Sequence, residues 1–183
     1  MTDVLYVGSS IFQQWSCAAD VWPGRAVENI AVGGTVTAFW QGRLAVDVAR
    51  WRPRVLCYYC GSNDFNAGEG PAAIAGRTLQ TFERVWEGAP ELQIAYHSII
   101  KAPQKEEKWG QVDAVNRALR EAMADRGAGH FVDLNPVFFD AAGGALQELY
   151  VEDRLHLKAE AYRRMVELCR PWAGSVPLAA GEG

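Results

Sequence analysis

Little in this chain points to a polyanionic partner or to a membrane. Eighteen Lys and Arg stand against 22 Asp and Glu, and no dense basic run exists that would track a phosphate backbone. Nucleic acid is therefore not an expected partner. No segment approaches the roughly 20 consecutive apolar residues that a bilayer-spanning helix needs, so no membrane span is expected. The start, Met1-Thr2-Asp3-Val4-Leu5-Tyr6-Val7, lacks a basic leader followed by a long apolar stretch, so no signal peptide is expected and the expected compartment is the cytoplasm. Cysteine is sparse: Cys17, Cys57, Cys60 and Cys169 are scattered, unlike the dense framework of a small secreted scaffold. Cys57 and Cys60 are close in sequence but lie on an apolar run that reads as a strand, where positions three apart face opposite ways. Both are expected as buried thiols rather than as ligands or a redox pair. Gly-x-Gly-x-x-Gly is absent, which weighs against a dinucleotide site. Gly-x-Ser-x-Gly is absent as well, which weighs against the α/β-hydrolase nucleophile elbow. No cofactor and no metal are expected.

What is present is a core-forming composition. With 49% hydrophobic residues in 183, the chain can build one well-buried core and is short for two domains. A single domain is expected over 1–172, followed by a small-residue, flexible tail at 173–183. Short apolar runs at Val4–Val7, Ala26–Ile30, Val55–Tyr59, Leu92–His97 and His130–Leu134 read as strands. Helical spacing of apolar residues predicts helices over Thr35–Arg50, Pro71–Trp86, Lys105–Arg126 and Ala159–Pro171, with a short one after Ser10. This alternation predicts a three-layer α/β sandwich around a central parallel sheet of five strands.

In such a sheet, ligands bind outside the carboxyl ends of the strands, so the loops leaving the strands carry the chemistry. Gly8-Ser9-Ser10 follows the first strand, Asn29-Ile30-Ala31-Val32-Gly33-Gly34 the second, and Gly61-Ser62-Asn63-Asp64 the third. Near the C-terminus, Asp153-Arg154-Leu155-His156 places a carboxylate three positions ahead of one of only three histidines. A neutral imidazole is well suited to moving protons near pH 7, and a carboxylate can hold its tautomer. Singly, each segment has a plainer reading: a serine helix cap, a flexible turn, an Asx turn, a surface ion pair. Together they supply a hydroxyl nucleophile, oxyanion donors and a base with its orienter, the parts acyl transfer requires.

From Val4 to about Trp172 these blocks resemble the SGNH hydrolases, the GDSL-like lipase/acylhydrolase family. The first block, usually Gly-Asp-Ser, is similar to Gly8-Ser9-Ser10, with Ser9 where relatives usually carry aspartate. Gly34 matches the second block, with Ala31 where many relatives have glycine. Gly61-Ser62-Asn63-Asp64 matches the third, Gly-x-Asn-Asp, and Asp153-Arg154-Leu155-His156 the last, Asp-x-x-His. The resemblance implies a flavodoxin-like fold and a serine esterase working through an acyl-enzyme. Ser10 would be the nucleophile, His156 the general base and acid, and Asp153 its orienter. The N–H groups of Ser10 and Gly34 and the side-chain amide of Asn63 would form the oxyanion hole. The implied partner is a small-molecule ester, with short acyl groups such as acetyl favoured because no large lid-like apolar insertion is present. Lysophospholipase or thioesterase activity, a non-catalytic ligand-binding module on the same fold and a flavin-binding protein are the competing readings. Of the other residues, His97 is expected as a structural histidine, His130 lies away from the reaction, and Trp40 belongs to the core. Trp15, Phe65 and Trp109 are candidates for lining the substrate pocket, although the charged stretch Gln104–Lys108 before Trp109 reads as a solvated helix start.

Overall fold

A computed structural model describes residues 2–178. Its frame is a five-stranded, fully parallel sheet in the order β2-β1-β3-β4-β5. The strands are β1 (Val4–Gly8), β2 (Val27–Asn29), β3 (Val55–Tyr59), β4 (Gln93–His97) and β5 (Gly129–Val132). The helices are α1 (Ser10–Gln13), α2 (Thr37–Gln41), α3 (Leu44–Trp51), α4 (Pro71–Gly88), α5 (Trp109–Ala124) and α6 (Ala159–Ser175).

Strands β1 and β3 are buried at every position, as continuous apolar runs in a sheet covered on both sides should be. Their side chains alternate between two cores. Val4, Tyr6, Val55, Cys57 and Tyr59 pack with α1 and α6, through Phe12, Met165 and Cys169. Leu5, Val7, Leu56, Tyr58 and Cys60 pack with α2 to α5, through Trp40, Leu44, Phe82, Val115 and Leu119. Cys57 and Cys60 are thus buried thiols in different cores. Burial of this kind stabilises by about 25 cal/mol per Å² of apolar surface, and the fold is the three-layer α/β sandwich anticipated from the pattern.

Several boundaries differ from the periodicity. The helix expected over Thr35–Arg50 is two, α2 and α3, broken at Gly42-Arg43. Residues 35 and 36 are not helical because Thr35 turns back, its hydroxyl donating to the carbonyls of Val32 (2.9 Å) and Gly8 (3.2 Å). The helix expected from Lys105 begins at Trp109, after a 3₁₀ segment Pro103–Lys108 in which Lys105 leaves helical geometry (φ −115°, ψ 33°). Helix α6 passes through Pro171 to Ser175, so the first residues of the expected tail are helical; residues 179–183 lie outside the described residues.

Candidate active site

The chain leaves β1 for β2 on one side and then returns to β3 on the other. The crevice between the carboxyl ends of β1 and β3 is therefore the topological switch point where ligands bind in open α/β sheets. Both strands deliver a loop there. Gly8 pairs with Tyr59 at φ +149°, and a Cβ on it would lie 2.0 Å from the Tyr59 carbonyl oxygen. Only glycine lets β1 turn this close to β3, and the Ser9 N–H donates to that same carbonyl (3.0 Å). The turn sets Ser10 as the first residue of α1, where the N–H groups of an opening helical turn have no intrahelical partner.

His156 arrives on the loop between β5 and α6. An antiparallel bridge, Tyr150 to Leu157, closes that loop's base, and the Val151 N–H donates to the His156 carbonyl (2.9 Å). Arg154 occupies a left-handed conformation (φ 60°) at the tip. Asp153 organises the turn: its Oδ1 accepts the N–H groups of Leu155 and His156 (both 2.9 Å), and its Oδ2 lies 2.6 Å from His156 Nδ1. The imidazole, the two backbone donors and the resulting charge pair hold the Asp153 carboxyl at about 2, well below the usual carboxylate range, with the His156 side-chain bond the largest cause. A carboxylate accepts only, so Nδ1 carries the proton of the neutral ring and Nε2 is left as acceptor. Nε2 sits 3.0 Å from Ser10 Oγ. The Asp153 and His156 side chains are 42% and 29% exposed, so screening weakens their Coulombic attraction and the fixed hydrogen bonds set the ring's orientation.

The second and third loops are tied to each other. Gly34 is left-handed (φ +77°) with open space where a Cβ would lie, and its N–H donates no hydrogen bond among the described residues. Asn29 braces this loop, its Nδ2 donating to the Phe12 carbonyl (2.7 Å) and its Oδ1 accepting the Ala31 N–H (3.1 Å). Asn63 Nδ2 donates to the Thr35 carbonyl (3.0 Å). A primary amide has two N–H groups, so fixing one on Thr35 aims the other along a set direction. Asp64 is fully buried and accepts the Thr37 N–H on both carboxylate oxygens (3.1 Å each) and the Thr37 hydroxyl, with Arg77 Nη1 at 3.4 Å. Burial raises its pKa, against the lowering effect of the Thr37 bonds. Asp64 thus staples the third loop to the first residue of α2, a part that the sequence reading did not assign.

The remaining candidates take no part in the hydrogen-bonded line of Ser10, His156 and Asp153. Trp15 and Trp40 are buried in the two separate cores, and Phe65 is buried in the same core as Trp40; none lines an open pocket. Trp109 is half-buried, donating from Nε1 to the Ala102 carbonyl (3.0 Å) and packing edge-on against Phe139 with Lys101 Nζ over both rings. His97 is fully buried among Tyr6, Phe12 and Trp172. Its Nδ1 donates to the Ala95 carbonyl (3.2 Å), and burial pushes its pKa down to about 3. His130 Nε2 contacts Gln93 Oε1 (2.8 Å) at the amino end of β4. A cavity of about 450 Å³ lined by Trp22, Arg25, Arg170 and Ala173 opens at the far end of α6 and contains none of the four loops. Among the described residues, no group of three or more His, Cys, Asp or Glu side chains is placed to hold a metal ion, and no helix is long and apolar enough to cross a membrane.

No curated protein matches the sequence. Solved structures of similar fold cover nearly all of it. A GDSL-like lipase from Bacteroides thetaiotaomicron superposes with a TM-score of 0.71 at 19% identity, over 94% of this chain and 88% of its own. A member of the lipolytic protein G-D-S-L family from Veillonella parvula gives 0.75 at 13% identity, over 96% and 100%. A family 3 carbohydrate esterase from Clostridium thermocellum gives 0.74 at 13% identity, over 94% and 99%. The GDSL-like lipase/acylhydrolase family model matches residues 7–164, a span holding all four loops of the strand-end crevice, and the chain belongs to that family of hydrolases.

Proposed function

We propose that the chain is a serine esterase that cleaves short-chain carboxylic esters, acetyl esters first among them, through an acyl-enzyme. The observation that carries this reading is the continuous relay from Asp153 Oδ2 to His156 Nδ1 (2.6 Å) and from His156 Nε2 to Ser10 Oγ (3.0 Å). It joins residues 146 positions apart, and a chance surface contact has no reason to present the acceptor nitrogen to a hydroxyl.

In this mechanism Nε2 takes the Ser10 proton as Oγ bonds to the ester carbonyl carbon. The tetrahedral oxyanion accepts hydrogen bonds from the Ser10 and Gly34 N–H groups and from the Asn63 amide proton not engaged by Thr35. Asp153 holds the imidazolium in place and stabilises its charge. His156 returns the proton to the departing alcohol, leaving the acyl group on Ser10. Water, deprotonated by His156, then attacks the acyl carbon, and the carboxylic acid leaves as Oγ regains its proton. Donors of this kind act where charge develops, each contributing on the order of 10²–10³ in rate.

A short acyl group fits the modest apolar surface that the site's own loops offer. The large apolar side chains that these loops expose are Val32 and Val151, 39% and 38% exposed. A series of p-nitrophenyl esters from acetyl to octanoyl, assayed with acetylated sugars, tests the reading through kcat/KM. The expected result is highest activity on acetyl and a loss of at least about 10³-fold in Ser10→Ala. Equal activity of folded Ser10→Ala would sink the nucleophile assignment, and a rise with chain length would sink the acetyl preference.

A further inference from the structure

Lys105 is the anomaly of the molecule. It lies in a stretch rich in charge, Gln104-Lys105-Glu106-Glu107-Lys108, yet it is only 7% exposed. Lysine is almost never buried unless paired, and Lys105 takes part in none of the ion pairs among the described residues. Its Nζ instead donates to two neutral acceptors of one residue, the Ser62 carbonyl (2.6 Å) and the Ser62 hydroxyl (3.0 Å). Burial is the main effect on the ammonium and pushes its pKa down, with Glu107 and Asp64 opposing through space. The backbone of Lys105 also leaves helical geometry within its 3₁₀ segment.

We propose that Lys105 is a positioning residue for acyl transfer: its ammonium clamps the Ser62 carbonyl and thereby fixes the peptide plane from which Asn63 reaches the reacting oxygen. The inference rests on the oxyanion role proposed for Asn63. The Ser62 carbonyl and the Asn63 N–H belong to one planar peptide unit, so a bond at one end sets the direction of the other and of the Cα that follows. The Asn63 side chain is held on its own side by Thr35. With Lys105 below and Thr35 beside, neither the peptide nor the amide is free to rotate. The neighbouring residue completes a bracket: the Gln104 N–H donates to the Arg154 carbonyl (3.0 Å), inside the loop that presents His156. One dipeptide thus spans the two halves of the site, gripping the base's loop through its backbone and the oxyanion loop through its side chain.

Lys105→Met relieves the burial of a cation but leaves the Ser62 carbonyl and hydroxyl without their donor, which opposes that gain. Tm and kcat are therefore read separately, which separates positioning from scaffolding. In Lys105→Met, with p-nitrophenyl acetate as substrate, kcat should fall 10–100-fold, the scale on which misplacement of a catalytic group acts. KM should stay within about threefold, and any fall in Tm should leave the variant folded at the assay temperature. Lys105→Arg, which keeps a donor cation, should recover most of the lost kcat. The deciding experiment is a double-mutant cycle with Asn63→Ala. If Lys105 acts through Asn63, adding Lys105→Met to Asn63→Ala changes kcat by less than about twofold. Wild-type kcat in Lys105→Met overturns the inference, and so does the same loss in both backgrounds. Asn63→Ala alone reports separately on the oxyanion reading, which fails if that variant retains wild-type kcat. Should Lys105→Met not fold, Lys105→Gln takes its place in the same cycle.

Discussion

Acidification should destabilise the protein steeply through His97. The ring is fully buried, its one hydrogen bond is Nδ1–H to the Ala95 carbonyl, and Nε2 has no partner. Burial lowers its pKa to about 3, whereas an unfolded histidine titrates near 6.5. Between those values the unfolded chain binds a proton that the folded chain does not. Stability therefore rises with pH across that window and is lost as pH falls from about 6.5 toward 3. The slope for one such group is about 1.4 kcal/mol per pH unit, so by pH 4.5 roughly 2.7 kcal/mol is gone, a large share of a typical 5–15 kcal/mol. Urea unfolding at pH 7, 6, 5 and 4.5, followed in wild type and in His97→Phe, reads this directly. Phenylalanine keeps the aromatic contacts with Tyr6, Phe12 and Trp172 and removes the titration. Below about pH 6 the difference in stability between the two proteins should shift in favour of the variant by about 1.4 kcal/mol for each unit of acidification. His130, also lowered by burial, is present in both and cancels. Parallel curves would refute a buried neutral His97.

Two further outcomes follow from the site's geometry. Asp153→Asn can no longer hold the Nδ1 proton as a charged acceptor, so kcat should drop by about 10²–10⁴-fold; retention of more than a tenth of wild-type kcat would contradict the orienting role. Gly8→Ala should lose at least about 3 kcal/mol or fail to accumulate folded, because its Cβ would meet the Tyr59 carbonyl at 2.0 Å; a wild-type melting curve would contradict the close approach of β1 and β3.

The strands were legible because their side chains face two apolar cores: Val4-Leu5-Tyr6-Val7 and Val55-Leu56-Cys57-Tyr58-Tyr59 read as buried runs whichever way each residue points. Three of the four loops were legible because each concentrates glycine or polar residues immediately after a strand, and the fourth because it sets Asp153 three positions ahead of His156; the structure brings Ser10, Asp153 and His156 into one hydrogen-bonded line. What periodicity missed was set by tertiary bonds. Thr35 looks like the start of a helix until its hydroxyl is seen binding back to Gly8 and Val32. Lys105 looks like a solvated helix residue until Ser62 is seen beneath it. Asp64 carried a signal, an acidic residue directly after an Asn in the loop that leaves β3, but its partner Thr37 opens α2. Val32 apart, these partners lie far away along the chain, so local pattern carries no trace of them.

The central claim is that Ser10 becomes acylated. Intact-mass and peptide-mass analysis of protein quenched during turnover of p-nitrophenyl acetate tests it most directly. The expected result is the mass of one acetyl group, localised to Ser10, accumulating in a protein whose His156 is replaced by alanine only far more slowly, and absent from Ser10→Ala. An adduct on Ser9 or any other side chain, or undiminished turnover by Ser10→Ala, would contradict it.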